Sequence, residues 1–343
     1  MKEPGDRNRV EAGRLLDLID GFRDLRVAVV GDLIVDEFIY GEISRVSREA
    51  PVLILNYNST EIVPGGAGNA ANNVAALGAA PVVIGVAGRD DAGRRLLRTL
   101  RAGADVSGVV RPAGYVTPMK TRILAGGVHS AKQQVVRIDR VAPSSLSASD
   151  SKAIESRLMK AASACNAVLV SDYGTGLVTP ALVAAVRKRI PERRRVPVLV
   201  DSRYSLLRFR AMTACTPNES EVEQLFNVKI GENLRVLERA GRDLLKQTRS
   251  QGVLVTRGSR GMALFQPEQP TVHIPIYGSD QIADVTGAGD TVIATMTLAL
   301  AAGASFVEAA RLANYAGGLV VMKRGTATIS ADELRVAVLS DLG

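Results

Sequence analysis

Asp284-Val285-Thr286-Gly287-Ala288-Gly289-Asp290-Thr291 is the segment of this sequence best suited to chemistry. It runs into an apolar stretch, Val292 to Ala302, whose composition predicts a helix. Small residues let a backbone approach a ligand closely. Amides at a helix start point outward, and the helix dipole favours an anion there. A carboxylate at the same spot would repel a phosphate, so Asp290 needs a reason. It makes sense if it takes a proton from an attacking hydroxyl while the amides stabilise a transferring phosphoryl group. The plainer alternative is an N-cap, which Asp does well. The complete Gly-Ala-Gly-Asp string favours the first.

Pro64-Gly65-Gly66-Ala67-Gly68-Asn69-Ala70-Ala71 is a second glycine-rich turn before a helix. Its spacing also fits a dinucleotide fingerprint, with Asp90 and Asp91 about twenty residues on. Pro64 and the polar approach Asn58–Glu61 make a poor leading strand for that reading. A loop holding polyol hydroxyls through Gly65, Gly66 and Asn69 fits better, with a tight turn as the bland alternative. Asp32 and Asp36 follow the first strand, at the end where α/β sites gather. Carboxylates accept hydrogen bonds from sugar hydroxyls, and Asp36 is the better candidate; turn or cap roles are the alternative.

Asn218-Glu219-Ser220-Glu221 follows a strand, and Asn218 and Glu221 can share one solvated magnesium near nucleotide phosphates. Alone, the same spacing is a capping arrangement. Thr256-Arg257-Gly258-Ser259-Arg260-Gly261 can hold phosphates, or turn an ordinary hairpin. Its Gly-x-x-Gly pair lacks the helical context of an RNA clamp.

The elements that must position these residues alternate. Helical spacing from Val10 to Leu25 precedes a buried strand, Val27–Gly31, and extended chain from Leu33 to Tyr40. Val52–Tyr57 and Pro81–Val86 read as strands; Gly66–Leu77 and Ala92–Ala102 read as helices. Residues 115–139 carry a hairpin pattern. With the strands of 34–60 they predict a small sheet, a β lid apart from the main one. From residue 150, strands Ala167–Ser171, Val198–Asp201, Thr213–Thr216 and Val253–Thr256 alternate with helices Pro180–Ile190, Ser220–Phe226 and Leu234–Arg249. That rhythm predicts a mostly parallel sheet flanked by helices. Met262–Phe265 and Thr271–Ile276 read as an antiparallel addition, and Thr291–Ala302 and Phe306–Met322 as closing helices. The whole of 1–343 reads as one α/β domain with the lid inserted at about 34–60 and 115–139.

Composition narrows the classes. Hydrophobic residues at 46% and charged residues at 23% suit a soluble globular chain. The net charge of +8 is compatible with an anionic substrate. Basic residues are dispersed; the run Arg193-Arg194-Arg195 between two prolines reads as a solvated turn. Aromatics at 4% leave little to stack nucleic-acid bases. Cys165 and Cys215 have no CxxC partner and read as small core residues. His129 and His273 lie far apart, which argues against a histidine-based site, and no Walker loop is present. The charged N-terminus lacks a signal segment and no apolar run spans a bilayer, so a cytoplasmic protein without membrane or nucleic-acid partners is expected.

The pair Gly65-Gly66-Ala67-Gly68-Asn69 and Asp284 to Asp290 resembles the two signatures of the ribokinase-like (PfkB) carbohydrate kinases. The resemblance implies a central sheet with flanking helices, a β lid over the sugar, and ATP with Mg2+. It implies Asp290 as catalytic base and Gly287, Ala288 and Gly289 as anion hole. Asn218 and Glu221 match its magnesium and phosphate motif. Thr256, Gly258 and Gly261 match a phosphate and ribose loop, and Asn314 a position near the adenine. Asp284 and Thr286 match positions that bind a monovalent cation, K+, in some members. Asp36, Gly66 and Asn69 match sugar contacts. The chain is most similar to the D-glycero-D-manno-heptose 7-phosphate kinases, through Val30–Asp36, Gly41-x-x-Ser44-Arg45-x-Ser47-x-Glu49-Ala50-Pro51-Val52, Gln133–Asp139, Ser171–Gly174 and Lys323-x-Gly325-Thr326. Those enzymes phosphorylate the anomeric hydroxyl to give the 1,7-bisphosphate toward lipopolysaccharide. They are commonly homodimers, and many carry a fused nucleotidyltransferase that 1–343 does not show. One departure is Ser202-Arg203-Tyr204 after Val200-Asp201, where such kinases continue Pro-Lys-Gly. Arg45, Arg48, Lys120 and Arg122 are candidates to grip a substrate phosphate. Another sugar or nucleoside kinase, and a sugar-binding regulator without catalysis, are the rival readings.

Overall fold

Residue alternation along the central strands sorts side chains to two faces. Val27 and Val29 enter one apolar core; Ala28 and Val30 enter another on the opposite side. Ala167 and Leu169 against Val168 and Val170 repeat the split one strand over. A strand apolar on both faces must be covered twice, which gives a helix–sheet–helix sandwich.

The computed structural model describes residues 11–126, 132–141, 146–191, 194, 196–278, 284–323 and 325–342. The charged first ten residues, His129, Arg193 and Arg195 lie outside them. In chain order the elements begin with α1 (Ala12–Asp20), β1 (Arg26–Gly31), β2 (Leu33–Val46), β3 (Leu53–Gly66) and α2 (Ala67–Ala76). They continue with β4 (Ala80–Val86), α3 (Asp91–Leu100), β5 (Asp105–Val110), β6 (Met119–Gly126) and β7 (Gln133–Arg140). Next come α4 (Ala148–Ala164), β8 (Ala167–Asp172), α5 (Pro180–Arg189), β9 (Val198–Ser202), β10 (Ala214–Cys215), α6 (Glu219–Phe226) and α7 (Leu234–Thr248). The chain closes with β11 (Gly252–Thr256), β12 (Met262–Phe265), β13 (Val272–Ile274), α8 (Ala288–Ala301), α9 (Phe306–Val320) and α10 (Ala331–Leu342).

Among the described residues, nine strands form the main sheet in the order β13-β12-β11-β10-β9-β8-β1-β4-β5. Pairing is parallel from β5 to β11, and β12 and β13 add antiparallel. One face carries α1, α2, α3, α8, α9 and α10; the other carries α4 to α7. A separate four-stranded sheet has the order β3-β2-β6-β7. The expected architecture, a mostly parallel sheet with a small β lid, is therefore present. Both cysteines are buried and free. No helix among the described residues is long and apolar enough to cross a membrane.

Two differences matter. β3 does not stop at Tyr57 but continues through the polar segment into Gly66, so a strand leads directly into α2. It is held by its ladder to β2 rather than by burial. That strand lies in the small sheet, so α2 does not form the parallel βαβ unit a dinucleotide fingerprint requires. Asp90, one of the two acidic residues of that reading, caps α3 and accepts from Gly93 N at 2.9 Å and Thr117 Oγ1 at 2.6 Å. The second difference is that α8 begins at Ala288, three residues before the expected start at Thr291, which brings Asp290 into its first turn.

Candidate active site

Gly287 sits at the N-cap of α8 with φ of 79°, the left-handed region that favours glycine. The turn leaves the amides of Gly287, Gly289 and Asp290 without a protein acceptor among the described residues. The Ala288 amide, expected in the same cradle, instead donates to the Val285 carbonyl at 3.3 Å. A helix start with free donors is an anion site in waiting.

The Asp290 side chain is 3% exposed. Asn69 Nδ2 donates to its Oδ2 at 2.8 Å, and the Tyr173 hydroxyl donates to Oδ1 at 3.4 Å. Burial pushes this carboxyl up to about 7; nearby Asp36 adds to the rise, while the two donors and Lys120 pull against it. The negative charge of Asp290, then burial, raises the Tyr173 phenol well above its ordinary value, so it stays a donor. Asn69 is itself fixed. Asn73 Nδ2 donates to the Asn69 carbonyl at 3.0 Å, and Thr291 Oγ1 donates to Asn73 Oδ1 at 2.8 Å. The carboxylate is thus clamped between α2 and α8.

The small sheet brings Asp36 to the same place. Its Oδ1 accepts from Arg122 Nη1 at 2.6 Å, a mostly buried ion pair across β2 and β6. Gly65 is required beside it: a Cβ there would stand 2.2 Å from Asp36 Oδ2. Lys120 lies over the Tyr173 ring at 4.8 Å, and burial lowers its pKa. Arg45 and Arg48 are exposed toward and beyond the far end of β2, away from this cluster.

A cleft of about 660 Å³ opens on the other side of Asp290. Asn218, Glu221, Thr256, Gly258, Gly261, Asn314 and residues 287–290 all line it. That volume suits a nucleotide-sized ligand. Asn218 and Glu221 form a reciprocal capping box on α6, with both bonds at 2.9 Å. Burial raises the Glu221 carboxyl. Arg257 and Arg260, expected as phosphate holders, are paired with Glu219 at 2.8 and 2.5 Å. Asn314 Nδ2 donates to the Pro275 carbonyl at 2.9 Å.

Two expected contacts are engaged elsewhere. Asp32 does not reach the polyol side; its carboxylate accepts from Tyr173 N at 2.7 Å, Thr175 N at 3.3 Å and the Thr175 hydroxyl. It anchors the loop that carries Tyr173. Asp284 accepts from Thr286 N at 2.9 Å and Gly325 N at 3.1 Å, holding a turn before α8, and the Thr286 side chain is not part of that bond. Nearby, the buried Thr326 hydroxyl lacks a hydrogen-bond partner among the described residues, and its methyl carbon would lie 3.2 Å from a Cβ at Gly287. Sequence reasoning missed Tyr173 and Asn73 as site residues. Tyr173 acts through Asp290, far off in sequence, and Asn73 through Asn69 and the distant Thr291, so spacing alone does not give their roles.

A family profile described as pfkB family carbohydrate kinase matches residues 24–333. The protein named Bifunctional protein HldE of Geobacter metallireducens is 41% identical over 314 residues, covering 91% of this chain and 62% of the relative. The protein of the same name from Caulobacter vibrioides is 38% identical, covering 96% of this chain and 66% of its own. The chain thus spans about two thirds or less of these relatives. An Arabidopsis thaliana ribokinase, solved with ribose and ATP, superposes with a TM-score of 0.68 at 22% identity, covering 93% of this chain and 98% of its own. Phosphofructokinase-2 from Escherichia coli, solved with substrates and products, gives 0.72 at 19%, covering 92% and 98%. Likeness at such identity speaks for the fold, and the profile match for descent: this chain belongs to the pfkB family of carbohydrate kinases.

Proposed function

We propose that the chain transfers the γ-phosphoryl group of ATP to a hydroxyl of a sugar phosphate, the anomeric hydroxyl of D-glycero-D-manno-heptose 7-phosphate. One observation carries the reading. A buried carboxylate, Asp290, stands in the first turn of a helix whose free amides line the same cleft. In this mechanism Asp290 takes the proton of the acceptor hydroxyl, held in aim by Asn69 and Tyr173. The amides at the start of α8 receive the charge of the transferred group. Asp36 accepts hydrogen bonds from the polyol, with Gly66 and Asn69 beside it. Lys120 and Arg122 supply positive charge for a substrate phosphate. The small sheet covers the reacting centre and keeps water out.

Among the described residues no three His, Cys, Asp or Glu side chains form a metal group. That fits a Mg2+ carried mainly by phosphates and water, with Glu221 and Asn218 beside it. When bound, the ion neutralises phosphate charge. Asp284, Thr286 and the orphaned Thr326 hydroxyl are where a K+ ion would act. The heptose assignment rests on the motifs around Ser44, Glu49 and Gln133–Asp139. Coupled ADP detection over a panel of heptose, hexose and pentose phosphates, ribose and nucleosides tests it: highest kcat/KM with the heptose phosphate is expected. Preference for another sugar would overturn the substrate, and no turnover with any would favour a non-catalytic regulator.

Two further outcomes are expected. Asp290 must be ionised to act, and its carboxyl titrates near 7. kcat/KM should therefore fall about tenfold per unit as pH drops below 7, and level off above 8; a flat profile from 5.5 to 8 counts against the base. Gly65→Ala forces the Asp36 carboxylate off Arg122. KM for the sugar should rise about tenfold or more with KM for ATP unchanged, from loss of charged hydrogen bonds.

The small sheet exposes Ile43, Val46, Leu53, Tyr57, Val135, Val136 and Ile138. We assign the expected homodimer to this surface. Light scattering of the wild type and of Tyr57→Glu reads the loss of the dimer.

A further inference from the structure

Among the described residues, five carboxylates line the cleft: Asp172, Asp201, Glu219, Glu221 and Asp290. A triphosphate entering it brings more negative charge, so the wall must supply a cation. Among the described residues three arginines line it. Arg257 and Arg260 are spent on Glu219. Arg203 is, among the described cleft-lining residues, the cation with no carboxylate at ion-pair distance.

Its backbone is nevertheless well fixed. Arg203 follows β9 at the carboxyl end of the sheet and donates its amide to the Asp172 carbonyl at 3.0 Å. Ser202 Oγ donates to Asp172 Oδ2 at 2.6 Å and accepts from Ser205 N at 3.1 Å, which closes the turn on both sides. The guanidinium lies 5.9 Å from the Tyr204 ring centroid. A pinned backbone, a free charge and a cleft lined by free α8 amides form a phosphate-binding arrangement with the fork geometry that matches two phosphate oxygens. Burial raises the carboxyls of Asp201 and Glu221 and the Arg203 charge pulls against that rise, while burial lowers Lys120 and the Arg203 charge adds to the fall, so it acts on both the nucleotide side and the acceptor side.

We propose that Arg203 binds the transferring phosphoryl group directly and is a catalytic residue of the reaction. The proposal rests on the kinase reading above, and it deepens that reading without depending on which sugar is used. Its test is binding of Mg-ADP and of the Mg complex of β,γ-imido-ATP, by calorimetry, to wild type, Arg203→Lys and Arg203→Gln. The Gln variant should lose about tenfold or more in affinity for the imido triphosphate, with ADP affinity unchanged within about twofold. The Lys variant should fall between. On the best sugar of the panel, turnover of the Gln variant should drop by about 10²- to 10³-fold with little change in sugar KM, and added guanidinium ion should partly restore an Arg203→Ala variant. Equal losses for ADP and the imido triphosphate, or no loss for either, would overturn the role of Arg203. Failure of wild type to bind either nucleotide would instead overturn the kinase reading.

Discussion

Asp290→Asn should lower kcat by about 10³-fold while leaving the affinity for ATP within a few-fold. The substitution keeps the shape, and an amide oxygen at 290 still accepts from Asn69 Nδ2. What disappears is the basic oxygen that takes the sugar proton. The same variant carries a second signature in stability. The Asp290 carboxyl titrates near 7 in the folded chain, against roughly 3.9 when unfolded. A group raised in this way stabilises the fold while protonated. That contribution is intact below about pH 4 and is lost as pH climbs toward and through 7. Asparagine never ionises, so the variant escapes the loss. Its Tm should exceed wild type at pH 8, by an amount corresponding to at most roughly 2–4 kcal/mol, and match it near pH 4. Kinetics and calorimetry of one purified variant check both. Near-normal turnover would remove Asp290 from the chemistry, and an unchanged Tm at pH 8 would deny the cost of burying its charge.

Gly287→Ala is the second large effect. The residue holds φ of 79°, where a Cβ is strained, and that Cβ would lie 2.6 Å from Asn69 Nδ2. Relief requires either the helix start or Asn69 to move. The first disturbs the amide cradle, and the second releases Asp290. Either way kcat should fall by about 10²-fold, with a stability loss of about 1–2 kcal/mol. Stopped assays with saturating ATP and sugar, together with urea unfolding, separate the two. A variant of normal kcat would mean that the start of α8 takes no part in phosphoryl transfer.

How much of this was legible in the residues depends on how local each feature is. The run from Asp284 to Thr291 carries cradle and carboxylate within eight residues, so its chemistry could be read directly. The buried strands were equally plain, because both their faces are apolar. α4 escaped notice although Ile154, Leu158, Ala161 and Ala162 keep helical spacing, since charged and serine residues surround them. α10 hides for the same reason, with Leu334, Ala337 and Val338 its buried contacts. β5 is a short edge strand whose first half is largely solvated. The polar half of β3 gave no apolar signal because hydrogen bonds to β2 hold it. Asp32 looked like Asp36 in sequence; only the return of Tyr173 and Thr175 from after β8 distinguishes an anchor from an open carboxylate. Arg203 became visible once Arg257 and Arg260 were found paired.

The clamp on Asp290 comes from α2, α8 and the loop after β8, whereas Asp36, Lys120 and Arg122 ride on strands of the small sheet. The proton acceptor and the polyol-side charges are thereby carried by different elements that meet around Asp290 and Tyr173. Exchanging β2 and β6 side chains is then a route to new acceptors, but a change at Asp36 or Lys120 also shifts the Asp290 carboxyl, so drift in taste for sugars and speed are coupled at those two positions.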